Sequence, residues 1–113
     1  MNIVQAVTLL AALAHPQRLE IFRLLMREWP NGLAASELAE AVGASPNAAS
    51  FHFRELDRAG VIRSRRDGRY VRYTIHVKGV RKLLTYLAED CCQGRPELCG
   101  KGIKKVKVSR RSR

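Results

Sequence analysis

The 113-residue chain lacks any apolar run of the ~18 residues a membrane-spanning helix needs. It has three cysteines, all within nine residues of one another, too few and too crowded for a disulfide-built scaffold. Its eight glycines and four prolines follow no repeating period, which excludes a fibrous protein. There is no glycine-rich phosphate loop and no Cys-x-x-Cys pair. The three histidines are scattered at 15, 52 and 76, so no clustered acid/base constellation points to an enzyme. Acidic side chains are scarce as well, 10 against 21 basic, for a net charge of +11.

With 46% apolar residues the chain fits one globular domain, and wholesale disorder is excluded. The positive charge is concentrated. Residues 45–82 carry ten basic and three acidic side chains, and residues 101–113 carry seven basic and none acidic. Residues 1–44 and 83–100 are close to neutral. A domain with this distribution expects a polyanion, either nucleic acid or an anionic membrane face.

The apolar stretch from Ile3 to Ala14 imitates a secretory leader, but no Lys or Arg precedes it and the helical pattern runs on beyond it. Ile3, Val7, Leu10 and Ala14 fall at helical spacing, so 3–13 reads as a helix that buries a face against a partner, in a cytoplasmic protein with reduced thiols. Pro16 opens a second helix with a Leu19, Phe22, Leu25, Met26 stripe widened by Ile21 and Leu24, stopped by Trp29-Pro30-Asn31-Gly32. A short helix over about 35–42 turns Leu38, Ala41 and Val42 inward and stops at Gly43. Ser45 caps a helix that starts at Pro46 and ends at Gly60. Val61–Arg66 and Arg69–Ile75 read as strands joined by Asp67-Gly68, a tight-hairpin signal. A last helix over 79–92 carries Val80, Leu83, Leu84, Leu87 and Cys91 on one face. The fold class is therefore mainly α (α+β), a winged helix-turn-helix with a two-stranded β-hairpin wing. Residues 1–94 form the DNA-binding and dimerisation domain, and 95–113 a C-terminal segment ending in a mobile basic tail.

At 100° per residue, Ala49, Phe53 and Leu56 form the buried stripe of helix 46–59. Asn47, Phe51, Arg54 and Arg58 lie opposite, with Ser50 beside them. Amide and guanidinium groups make the paired hydrogen bonds that distinguish base edges in a major groove. Phe51 on a wet face needs cover. Either a thymine methyl or sugar supplies it, or the ring tucks into the first helix of the pair. His52 points to the flank as a packing histidine. The hairpin adds Arg63, Arg65, Arg66, Arg69 and Arg72, suited to phosphates and the narrow minor groove. A solvated, charge-protected edge hairpin is the plainer alternative.

Cys91, Cys92 and Cys99 bring three thiols into one turn without a histidine, a soft donor set that selects against Mg, Ca and Mn. Structural zinc wants four ligands, whereas trivalent pyramidal As(III) or Sb(III) wants three. Competing readings are a core role for Cys91 and a redox-sensing disulfide between Cys92 and Cys99.

His15-Pro16-Gln17-Arg18-Leu19, Ser36-Glu37-Leu38-Ala39, Ser45-Pro46-Asn47, Ser50-Phe51-His52-Phe53-Arg54-Glu55-Leu56, Ala59-Gly60-Val61-Ile62 and the Arg66-Asp67-Gly68-Arg69 wing occur in order. Over about residues 5–92 the chain resembles the ArsR family of metalloregulatory repressors. Its cysteine tail resembles the arsenite-responsive members whose site follows the last helix. The resemblance implies a homodimer joined by its first and last helices, through Ile3, Val7, Leu10, Leu83, Leu84 and Leu87. It implies double-stranded operator DNA with an inverted repeat as partner, no constitutive cofactor, and As(III) or Sb(III) as inducer at Cys91, Cys92 and Cys99. The DNA contacts expected are Asn47, Ser50, Phe51, Arg54, Arg58, Arg65, Arg66 and Arg69. The chain departs from the family where 36–42 lacks a Cys-x-Cys site and 79–92 lacks histidine, which leaves the tail to bind inducer. Two rivals remain. A thiol-redox-sensing winged-helix repressor would answer peroxide and ignore arsenite. A constitutive basic nucleic-acid-binding protein would lose binding with residues 101–113.

Overall fold

The computed structural model describes residues 1–91, Arg95 and Glu97, and of Asp90 and Cys91 only the backbone. The order is α1 (Ile3–Leu13), α2 (Pro16–Arg27), β1 (Leu33–Ala34), α3 (Ala35–Ala41), α4 (Pro46–Ala59), β2 (Ile62–Asp67), β3 (Tyr70–Ile75) and α5 (Val77–Thr85), followed by a π-helical turn, Tyr86–Cys91.

Local chemistry starts and stops these helices. Asn2 Oδ1 accepts from the Gln5 N–H at 2.8 Å while Gln5 Oε1 accepts from the Asn2 N–H at 2.9 Å, a reciprocal cap on α1. His15 Nδ1 accepts from the Gln17 N–H and caps α2 ahead of Pro16. Ser45 Oγ accepts from the Ala48 N–H at the head of α4, and Gly60 closes that helix in the left-handed conformation at φ 92°. Ile21, Leu25, Leu38, Leu56, Val61 and Ile62 form the fully buried centre of the core. Phe53 joins α4 to the sheet through the Tyr73 ring, 4.8 Å away.

The wing belongs to a three-stranded antiparallel sheet in the order β1-β3-β2, not to a bare two-stranded hairpin. Two-residue β1 pairs Leu33 with Tyr73 and Ala34 with Arg72, and is too short to leave a periodic trace in the sequence. Gly32 makes this pairing possible: at φ +73° a Cβ there would stand 2.0 Å from the Tyr73 carbonyl oxygen. The hairpin loop is shifted by one residue from the expected Asp67-Gly68. Asp67 pairs with Tyr70, so Gly68 and Arg69 form the loop. Asp67 stays on the ladder, where its carboxylate accepts from Arg72 Nε at 3.1 Å.

Three further expectations are corrected. Ala41 is exposed, while Leu38 and Val42 are buried. Rotation explains the choice, since Val42 lies about 40° from Leu38 around the helix and Ala41 about 60° to the other side. The last helix is not α-helical throughout; its final six residues form the π turn. A π turn inserts one extra residue, which a search at helical spacing reads as continuous helix. Leu83, expected in a dimer seam, is buried in the chain's own core beside Val80, whereas Leu84 and Leu87 are half-buried.

Candidate nucleic-acid interface

Helix α4 is held from behind and open in front. Ala49, Phe53 and Leu56 are buried, as the stripe predicts. Asn47, Ser50, Phe51, Arg54 and Arg58 are all exposed. Arg58 forms an ion pair with Glu55, three residues before it on the same helix, so part of its donor capacity is engaged. Arg54 makes no ion pair among the described residues. It lies close enough to Tyr73 for its charge to oppose, in part, the upward shift of that phenol caused by burial and by Asp57.

Phe51 does not take the cover expected within the helix pair. It remains 48% exposed and does not tuck into α3. The Arg18 guanidinium, from α2, sits over its ring at 5.3 Å from the centroid. Arg18 Nε also donates to His52 Nδ1 at 3.0 Å. His52 is 6% exposed, a packing histidine inside the helix that carries the polar face. Its pKa is lowered from the ordinary histidine value, first by burial and then by the charges of His15 and Arg18. Sequence reasoning missed Arg18. One signal could have found it: a cation in the first turn of a helix opposes the helix dipole and calls for a tertiary partner.

The wing separates its arginines into two groups. Arg72 is structural: besides Asp67, it donates to the carbonyls of Asn31 and Gly32, tying β3 to the loop before β1. Arg63 reaches His76 Nε2 at 3.4 Å, and His76 Nδ1 donates to the Gly60 carbonyl at 2.9 Å. Arg65, Arg66 and Arg69 are exposed and have no ion-pair partner among the described residues. Unpaired guanidinium groups at a hairpin end beside an open polar helix face form an electrostatic and hydrogen-bonding footprint for duplex DNA.

Elsewhere the expected sites divide. Ile3, Val7 and Leu10, with Val4, lie on the outward face of α1 and are between 43% and 70% exposed, while Ala6, Leu9 and Ala12 face the core. Cys91 is the last residue of the π turn. Cys92, Cys99 and the basic tail 101–113 lie outside the described residues. Among the described residues no three His, Cys, Asp or Glu side chains converge to hold a metal ion. No helix there is long and apolar enough to cross a membrane.

Residues 13–65 match a family described as a helix-turn-helix domain. The HTH-type transcriptional regulator YgaV of Escherichia coli (strain K12) is 35% identical over 88 residues, 78% of this chain and 87% of the relative. Among solved structures, an ArsR-like transcriptional regulator from Rhodococcus sp. RHA1 superposes with a TM-score of 0.68 at 25% identity, over 91% of this chain and 92% of its own. The homodimeric winged helix-turn-helix DNA-binding domain of a possible ArsR-family regulator from Mycobacterium bovis gives 0.63 at 26% identity, over 82% and 86%. The chain belongs to the helix-turn-helix transcriptional regulators, DNA-binding proteins rather than enzymes, and its winged fold is that of its ArsR-like structural neighbours.

Proposed function

We propose that the chain represses transcription by binding an inverted-repeat operator as a homodimer, and that As(III) or Sb(III) at Cys91, Cys92 and Cys99 releases it. The observation that carries the DNA half is the open face of α4 beside the unpaired wing arginines. Asn47, Ser50, Phe51 and Arg54 meet base edges in the major groove, and Arg65, Arg66 and Arg69 meet phosphates or the adjacent minor groove. Arg58 contributes less while it serves Glu55. The outward apolar face of α1 supports the dimer. It has no ionisable side chain and leaves Ile3, Val4, Val7 and Leu10 to water in the single chain. Leu84 and Leu87 extend the seam on the last helix. Two copies would set the recognition helices about one DNA turn, ~34 Å, apart.

The inducer half rests on donor chemistry. Three thiols replace the three hydroxides of arsenous acid, with water as the leaving product. Cys91 ends the π turn that continues α5, and widened turns of this kind recur at functional sites. An ion gripped there bears on the element that carries the Leu84 and Leu87 seam. A coupling of ~1–3 kcal/mol would loosen the operator about 5–150-fold.

The experiment is a fluorescence titration of duplex DNA with and without arsenite, on the natural chain and on Cys91→Ser, Cys92→Ser and Cys99→Ser. Tight sequence-dependent binding, released by arsenite in the natural chain alone, is the expected result. If all three variants still release DNA, the inducer site is elsewhere. Release by peroxide and not by arsenite transfers the trigger to thiol oxidation. Absence of sequence-dependent binding removes the operator reading itself.

A further inference from the structure

Among the described residues His52 is the buried polar residue of the core, and both of its ring nitrogens are engaged by the first turn of α2. Arg18 Nε can only donate, so His52 Nδ1, 3.0 Å away, must carry a lone pair. The proton is then on Nε2, which donates to Gln17 Oε1 at 3.1 Å. This is one neutral tautomer, fixed from both sides. The same two α2 side chains reach further. Gln17 Nε2 donates to the Val42 carbonyl at the end of α3, and Arg18 donates to the Ala12 carbonyl at the end of α1. Arg18 also covers the Phe51 ring. Four helices and the aromatic of the DNA-reading face thus meet around one imidazole.

We infer that His52 is a positioning residue for DNA reading: in its neutral form it anchors Arg18 over Phe51, and its protonation releases both. The inference rests on the α4 face being the DNA-reading face. Protonation would place an N–H on Nδ1 against the donor of Arg18, and a cation against a cation. The Arg18 hydrogen bond is then lost, Arg18 leaves the Phe51 ring, and the side chain on the reading face loses its support.

The charged and titratable groups acting on the ring are His15 and Arg18, both from the start of α2. Neither α3 nor β2 contributes such a group, and α1 has no ionisable side chain. All three named influences disfavour the imidazolium. The contribution of neutral His52 is therefore complete above the ordinary value of 6.5 and is lost as pH falls through the lower folded value. Bare electrostatics predicts the opposite for DNA affinity, since an added proton near phosphates strengthens binding. The two effects differ in sign, which makes the inference decidable.

The probe is a fluorescein-labelled duplex carrying the sequence the full chain selects from a random pool, titrated at fixed ionic strength. As the pH falls from about 8 through the protonation midpoint of His52, the dissociation constant should rise about tenfold, the scale of a lost hydrogen bond to a charged group. His52→Asn keeps a non-titrating acceptor near the Nδ1 position, so its pH profile should be flat. Nitrogen-15 spectra of the histidines in the natural chain give a second readout. Nδ1 should appear as an unprotonated acceptor at high pH, and its protonation midpoint should coincide with the affinity midpoint. Affinity that holds level or rises on acidification overturns the inference. So does a fall shared by His52→Asn, one that tracks loss of helical circular dichroism, or midpoints that do not coincide. A chain that selects no sequence at high pH gives a different signature: it removes the DNA-reading face, and this inference with it.

Discussion

The double variant Val7→Asp, Leu10→Asp should be monomeric and bind its operator about a thousandfold more weakly than the natural chain. Both side chains point away from the protomer core, which Ala6, Leu9 and Ala12 occupy on the other side of α1. The substitutions therefore leave the protomer folded, and its helical circular dichroism should be unchanged. In a twofold seam they place like charges in an apolar contact, where an unpaired carboxylate costs several kcal/mol. Operator affinity then falls because a monomer engages one half-site. Linking two binding units raises avidity by about 10²–10⁴, and its loss returns the same factor. Sedimentation velocity and DNA titration on one sample check the two halves together. A variant that stays dimeric places the seam elsewhere.

Arg54→Ala and Arg66→Ala should fail in different ways. Arg54 stands on the reading face of α4 with no ion pair among the described residues. Its guanidinium is free to pair bidentately with a base edge. Its loss should cost ~1–3 kcal/mol on the selected duplex and relax preference at one position of the site. Arg66 lies on the wing, where a phosphate is the nearer target. Arg66→Ala should weaken all duplexes by a similar factor and lower the salt slope by about 1. Arg58→Ala should have a smaller effect than Arg54→Ala, because Arg58 already spends part of its donor capacity on Glu55. Titrations of selected and scrambled duplexes across a salt series separate these outcomes. An Arg54→Ala chain that loses affinity equally for both duplexes would move Arg54 from base reading to phosphate contact.

Helix α4 was readable in advance because its signals are local. Ser45, Pro46 and Gly60 act on their own backbone neighbours, and the Ala49, Phe53, Leu56 stripe needs only the helical period. The open face opposite that stripe followed from the same geometry. The misses share a different origin. β1 exists because Gly32 lets the chain approach Tyr73, forty-one residues along, and two residues carry no period. The hairpin loop is shifted by one residue because Gly68, at φ 66°, takes the first of the two loop positions, while Asp67 stays on the ladder against Arg72. Leu83 shares its stripe with Leu84 and Leu87, and only tertiary packing decides which of them the core takes. The Arg18–His52 contact spans thirty-four residues, and its one local clue is a cation in the wrong turn of a helix. The cysteine trio is visible in the sequence, but Cys92 and Cys99 lie outside the described residues.

The central claim is that two copies of α4 read two related half-sites on one face of duplex DNA. Selection of bound duplexes from a random pool, followed by sequencing, tests it most directly. The account predicts an inverted repeat whose half-site centres lie about 10 base pairs apart, one helical turn. Enrichment of an unrepeated motif, or no enrichment above the starting pool, would contradict it.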